Sequence, residues 1–178
     1  MMVERAVEVD GVRSDAAIAA FVTEHYDRLL RLARLVCQDT SDAADAVQVG
    51  LEQAWRGRSA LRDEARLRPW LDRIVMREAI RISKSRRSVL GRLFTPRPEI
   101  KWIEPSDHRA SEASAFAAVR AAFQLLSPEQ RAVVALHLHF GYSVAETATI
   151  VGAGEETVRS RLRLAKQRLR RELEESRP

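Results

Sequence analysis

Apolar residues recur at helical spacing along most of the chain. Starting near Ser14, the residues Leu29, Leu32, Ala33 and Val36 fall at the i, i+3, i+4 and i+7 positions of one helix face. The pattern breaks at Gln38 to Ser41, resumes with Val47, Leu51, Ala54 and Trp55, and stops at Gly57. After a polar stretch, Leu67, Trp70, Leu71, Ile74 and Val75 line a third helix that runs into a block of basic residues. These stripes predict a compact three- or four-helix unit with Trp55 and Trp70 packed in its core.

From Ser88 to about Ser114 the periodicity disappears, and Gly91, Pro96, Pro98 and Pro105 punctuate a segment that also holds Phe94 and Trp102. Such a segment reads as an extended linker. Helical signals then return with clear punctuation. Ser127-Pro-Glu-Gln130 combines a capping Ser, a Pro at the first helical position and a Gln three residues after the Ser. Ser143-Val-Ala-Glu146 is a second capping box, opening a short helix that ends at Gly152-Ala-Gly154. Glu155 and Glu156 start the last helix, where acidic side chains suit the positive end of the dipole, and Val158, Leu162, Ala165, Leu169 and Leu173 form its apolar stripe.

The expected fold is therefore all-α: two small helical domains, residues 14–88 and 115–175, joined by a flexible linker at 89–114. Two short helices, a Gly-containing turn of three residues and a basic second helix are the layout of a helix-turn-helix in the second domain.

Composition narrows the function. With Gly 7, Pro 6, 46% hydrophobic and 31% charged residues in 178, disorder and turn-rich β structure are disfavoured. No apolar run approaches the roughly 18 residues of a membrane span. Glu4, Glu8 and Asp10 stand where a signal peptide needs a basic start, so a cytoplasmic location without membrane insertion is expected. The single Cys37 makes neither an internal disulfide nor a Cys-based zinc site and reads as a small buried hydrophobe.

The formal net charge of +5 hides strong local asymmetry. Arg159, Arg161, Arg163, Lys166, Arg168, Arg170 and Arg171 form a block without an acidic residue, and Arg73, Arg77, Arg81, Lys84, Arg86, Arg87 and Arg92 form another interrupted only by Glu78. Asp39, Asp42, Asp45 and Glu52 make an acidic patch elsewhere. Polyanion binding is the leading class of function. At 100° per residue, Arg159, Arg163, Lys166 and Arg170 share one flank of the last helix, with Glu156, Ser160 and Leu164 beside them and away from the apolar stripe. Its N-terminal half is placed to enter the major groove and the later basic residues to reach phosphates. Arg163 suits guanine, Ser160 several bases, and Leu164 a thymine methyl.

These residues resemble a known family, the bacterial RNA polymerase sigma factors of the sigma-70 type, in particular the short extracytoplasmic-function group. Leu126-Ser-Pro-Glu-Gln-Arg131, Gly141-Tyr-Ser-Val-Ala-Glu146 and Thr157-Val-Arg-Ser-Arg-Leu162 look like the family's promoter-reading domain. Asp42-Ala-Ala-Asp-Ala-Val-Gln48, Ala54-Trp55 and Pro69-Trp-Leu-Asp-Arg-Ile74 resemble the domain that grips the polymerase and melts DNA. The resemblance implies that Asp42, Asp45, Gln48 and Glu52 bind the clamp helices of the largest polymerase subunit, with the flap as a further contact. It implies that the loop from Arg58 to Leu67, with Leu61, Arg62 and Asp63, captures an unstacked base of the minus-10 element. Arg73, Arg77, Arg81 and Lys84 would hold the strands around that base, the last helix would read the minus-35 element, and the linker would thread toward the RNA exit path. Partners implied are core polymerase, promoter DNA and, as is common in the family, an anti-sigma protein; no cofactor or metal is implied. The chain departs from the family pattern at Val49-Gly50, in the loop Leu61-Arg-Asp-Glu64, at Arg77 where Asn is common, and at Leu164 where Arg is frequent.

Two readings from other classes compete. A stand-alone helix-turn-helix regulator would normally bring a ligand or receiver domain, and the first half lacks β-α alternation. A nucleic-acid enzyme would need metal-binding carboxylates or a nucleophile; Asp39, Asp42 and Asp45 come without a Gly-rich phosphate loop, and His137 and His139, two apart on a helix, point in different directions.

Overall fold

The computed structural model describes the backbone of residues 2–61, 63–93 and 110–175, and the side chains of 15–16, 18–61, 63, 65–86 and 117–175. Arg62 and the segment 94–109, with Phe94, Trp102 and the linker prolines, lie outside the described residues. Within them the chain is all-α. In order come α1 (Met2–Cys37), α2 (Thr40–Arg56), two 3-10 turns (Arg58–Ala60 and Glu64–Arg66), α3 (Leu67–Leu93), α4 (Ala110–Gln124), α5 (Pro128–Val134), a π-helical turn (Ala135–His139), α6 (Val144–Val151) and α7 (Glu155–Glu175).

Helix ends follow the sequence signals closely. Asp39, in extended conformation, caps α2 by accepting from the Asp42 amide, and Gly57 closes it. Both predicted capping boxes form, at Ser127/Gln130 and Ser143/Glu146. Three boundaries move: α1 begins at Met2 rather than near Ser14, α3 continues through Gly91 to Leu93 because no proline stops it before Pro96, and α4 already begins at Ala110, inside the stretch expected as linker.

The main core joins α1, α2 and α3 through Leu29, Leu32, Val36, Val47, Val75 and Met76, all fully buried. Full burial of each such side chain stabilises by about 1.5–3 kcal/mol. Gly50 lets α2 and α3 approach: a Cβ there would stand 3.0 Å from Cγ2 of Val75 and 3.2 Å from its Cα. A smaller cluster of Ile18, Ala54, Leu67 and Leu71 takes the half-buried Trp70 against it. Trp55 is not in the core as expected. It is 46% exposed, because on a 100° rotation it falls well to one side of the Val47–Ala54 line, and Arg58 covers its ring at 4.7 Å.

The second half has its own core of Leu126, Val133, Val158, Leu162 and Ala165. It does not stand apart from the first. Ala132, Leu136 and Ile150 belong to the main core with α1–α3, and Phe140, Tyr142 and Val151 pack against it.

Candidate nucleic-acid interface

The helix-turn-helix is built by local chemistry. Ser143 accepts from the Glu146 amide at 3.1 Å while Glu146 accepts from the Ser143 amide at 2.8 Å. The bonds to Ser143 hold the Glu146 carboxyl below its usual range. Gly152 ends α6 in the left-handed region at φ 68, which costs glycine nothing. Ala148 is buried where α6 meets α7, and Val158, Leu162 and Ala165 turn the apolar stripe of α7 inward.

That packing fixes what α7 presents. Glu156, Arg159, Arg163, Leu164, Lys166 and Arg170 are exposed and Ser160 half-exposed, so the structure places all seven proposed readers on the outer side of the helix. Leu164 is 47% exposed, an apolar side chain among cations. The charges are not equivalent. Arg159 is paired with Glu155 at 2.7 Å and Glu156 at 3.7 Å, and Arg171 with Glu172 and Glu175. Arg163, Lys166, Arg168 and Arg170 have no ion pair among the described residues.

The basic block on α3 is quieter than its sequence suggests. Arg81 donates to the buried Glu78 at 2.7 Å, and Glu78 also accepts from Gln53 at 2.9 Å. Lys84 meets Glu129 of α5 at 2.5 Å, and Arg86 meets Asp42 at 2.5 Å and Asp39 at 3.2 Å. Arg73 and Arg77 remain exposed without ion pairs among the described residues, close enough to each other that Arg73 adds to burial in lowering the Arg77 pKa. Leu61 is half-buried against the Ile18 cluster and Asp63 is exposed, holding the Ala65 amide at 3.0 Å.

On α2 the four proposed polymerase contacts separate. Asp42 is turned back to Arg86, a fold-stabilising pair, whereas Asp45, Gln48 and Glu52 face outward. Gln48 and Glu52 line a groove of about 570 Å³ with Tyr26, Leu51, Trp55 and Arg56. Among the described residues no group of three or more His, Cys, Asp or Glu side chains is placed to hold a metal, and no helix is long and apolar enough to cross a membrane.

Comparison with known proteins assigns both halves. Residues 21–89 match the family described as Sigma-70 region 2, and residues 116–169 match Sigma-70, region 4. The ECF RNA polymerase sigma factor SigM of Mycobacterium tuberculosis is 35% identical over 147 residues, 83% of this chain and 72% of that protein. SigL of the same organism, also an ECF RNA polymerase sigma factor, is 33% identical over 164 residues, 90% of each chain. This chain belongs to the ECF sigma factors. The fold agrees: the sigma factor RpoE of Bartonella quintana, solved in complex with the anti-sigma factor NepR, superposes with a TM-score of 0.66 at 23% identity, covering 89% of this chain and 98% of that one.

In this sigma factor several residues of the candidate site are invisible to charge counting. Trp55 and Tyr26 join the α2 groove, and the spacing of Gln48, Glu52 and Trp55, one helical face at i, i+4 and i+7, was the signal for the former. Nothing in the sequence marks Arg28, Asp72, Arg131 and Tyr142 as partners across the two halves.

Proposed function

We propose that this sigma factor directs initiation by three separate surfaces. The outer face of α2, through Asp45, Gln48 and Glu52 with the exposed Trp55, binds the clamp helices of the largest subunit of core RNA polymerase. The N-terminal half of α7 reads the minus-35 element, with Glu156, Ser160, Arg163 and Leu164 at base edges and Lys166 and Arg170 on phosphates. The exposed cations of α3, Arg73 and Arg77, hold the opened minus-10 element, with the segment around Leu61 and Asp63 beside it. The working units are the helical halves 14–88 and 115–175.

The observation that carries this reading is the contrast between the helices. Arg163, Lys166, Arg168 and Arg170 of α7 are left without carboxylate partners among the described residues, while on α3 Arg81, Lys84 and Arg86 are held in internal pairs. Unpaired cations on the second helix of a helix-turn-helix favour phosphate, because nothing in the fold competes for them. The protein acts as a cytoplasmic binding subunit with no chemistry or cofactor of its own. An anti-sigma protein is a further partner, supported by the relative solved with one. The test is to mix the purified chain with bacterial core polymerase and look for a stable complex that initiates at defined promoters; absence of a complex defeats the reading.

A further inference from the structure

The chain carries 30 basic residues, and only three of them are lysines: Lys84, Lys101 and Lys166. The distinction is chemical, because a guanidinium stays protonated in a protein whereas an ammonium can give up a proton and become a nucleophile. Lys101 lies outside the described residues. Lys84 is engaged, its Nζ held by Glu129 at 2.5 Å. Lys166 is exposed on α7 and has no ion pair among the described residues.

The neighbours of Lys166 decide what it meets. Arg163 and Arg170 stand three residues before it and four after it, with no acidic residue between them, and that spacing sets all three side chains on one flank of the helix. Both arginines are exposed and likewise without an ion pair among the described residues. The carboxylates of Glu155, Glu172 and Glu175 are turned to Arg159 and Arg171 instead. Three adjacent cations raise the local concentration of a small phosphate dianion, and the planar forks of the two arginines match its oxygens. Lys166 is the only member of the three that can react with what is gathered there.

We infer that Lys166 is an acylation site whose donor is an acyl phosphate held by Arg163 and Arg170, and that the modification weakens promoter contact, a consequence that rests on the function proposed above. The phosphoryl oxygens take the two guanidinium forks, which leaves the acyl carbon beside Nζ. The ammonium gives one proton to water, and its lone pair attacks the carbonyl carbon. A C–N bond forms, the C–O bond to phosphorus-bound oxygen breaks with its electron pair, and the nitrogen passes its second proton to the departing inorganic phosphate. The product is a neutral amide, so α7 loses one cation and the DNA phosphate contact that goes with it. Acyl phosphate and DNA compete for the same two arginines, so the reaction falls on sigma factor that is not engaged at a promoter.

The test treats the full chain with acetyl phosphate and reads acetylation at each lysine by mass spectrometry. Lys166 should be modified roughly ten-fold faster than Lys84, and Arg163→Gln/Arg170→Gln should remove most of that preference while leaving the reaction of Lys166 with a neutral succinimidyl ester of acetic acid unchanged. The acetylated chain, then assembled with core polymerase, should bind a matched promoter about five-fold more weakly near physiological salt, with the log–log salt slope lower by about one unit. Lys166→Arg keeps the charge and offers no nucleophile, so its promoter affinity should not respond to acetyl phosphate. Equal modification of Lys84 and Lys166, or a rate at Lys166 that ignores Arg163 and Arg170, overturns the inference. So does a chain acetylated at Lys166 that binds promoter as the parent does while Arg163→Ala binds weakly, a result that leaves the promoter reading of α7 standing. If neither acetylation nor Arg163→Ala changes promoter binding, that reading itself fails and the inference falls with it.

Discussion

Arg131 of α5 places Nε and Nη2 on the carbonyl oxygen of Val36, at 2.9 and 2.6 Å, while its Nη1 holds the Leu126 carbonyl at 2.7 Å. The α1 helix ends at Cys37 and Gln38 turns to φ 60, which leaves the Val36 carbonyl without an in-helix donor. Ser83 supplies one bond from α3 at 3.2 Å, and Arg131 supplies the rest together with a positive charge at the negative end of the α1 dipole. A side chain from the second half thus finishes a helix of the first, and at 4% exposure it does so out of solvent.

Replacing it should show as lost stability. Arg131→Met retains volume but leaves two buried carbonyls short of donors, an expected loss of about 2–4 kcal/mol. Urea unfolding should give a lower midpoint at unchanged slope. Arg131→Lys should recover only part, since one ammonium cannot follow a fork across two carbonyls.

The turn of the helix-turn-helix gives a second check. Gly152 sits at φ 68 with the Arg77 guanidinium over its Cα, so Gly152→Ala should cost about 1–2 kcal/mol in backbone strain and displace Arg77 as well. Gly154→Ala, with no neighbour within 4 Å, should be close to neutral by the same unfolding measurement. Equal effects of the two would mean that the turn does not need its left-handed residue.

On α2, neighbouring acidic residues should behave oppositely. Asp45 is exposed, and Asp45→Lys should weaken core polymerase binding by about 2 kcal/mol in a direct titration, with thermal unfolding unchanged. Asp42→Asn should instead lower stability by under about 1 kcal/mol, because it loses a partly exposed pair with Arg86.

For α7 the expected outcomes separate base reading from phosphate contact. In holoenzyme, Arg163→Ala should cost about 1–3 kcal/mol on the preferred upstream element and flatten discrimination there. Arg170→Ala should weaken binding to every sequence alike and lower the log–log salt slope by about one unit. Leu164→Ala should lose sensitivity to replacing thymine by uracil in that element, the signature of a methyl contact. A relaxed specificity in Arg170→Ala with none in Arg163→Ala would put the helix in another register.

Tyr142 predicts an alkaline dependence. Burial, with the bond to the Asp72 carboxylate behind it, pushes the phenol up to about 12 from an ordinary value of 10. A raised folded pKa favours the neutral form. Its contribution is therefore complete below about pH 10 and is lost as pH rises from there through about 12. Ultraviolet difference absorbance should show a phenolate step near pH 12 that is missing in Tyr142→Phe, and stability should fall over the same window in the parent only.

The sequence by itself determined what depends on near neighbours. Capping boxes at Ser127 and Ser143, the glycine at the end of α6 and the inward stripe Val158, Leu162, Ala165 are set by spacings of a few residues, and the structure keeps each of them. The exposed side of α7 followed for the same reason, since a helix with one buried stripe fixes its opposite face. The exposure of Trp55 was legible too, since helical rotation sets it to one side of the Val47–Ala54 stripe. Tertiary structure decided what depends on residues distant in the chain. It turned Asp42 into an internal partner of Arg86 while Asp45 stayed outside, and it neutralised much of the α3 block through Glu78, Glu129 and Asp42. Above all it joined two apparently separate helical units through Arg131 to Val36 and Tyr142 to Asp72. Helical periodicity tells which side of a helix is buried; it carries no information about whether another helix of the same half or of the other one covers that side.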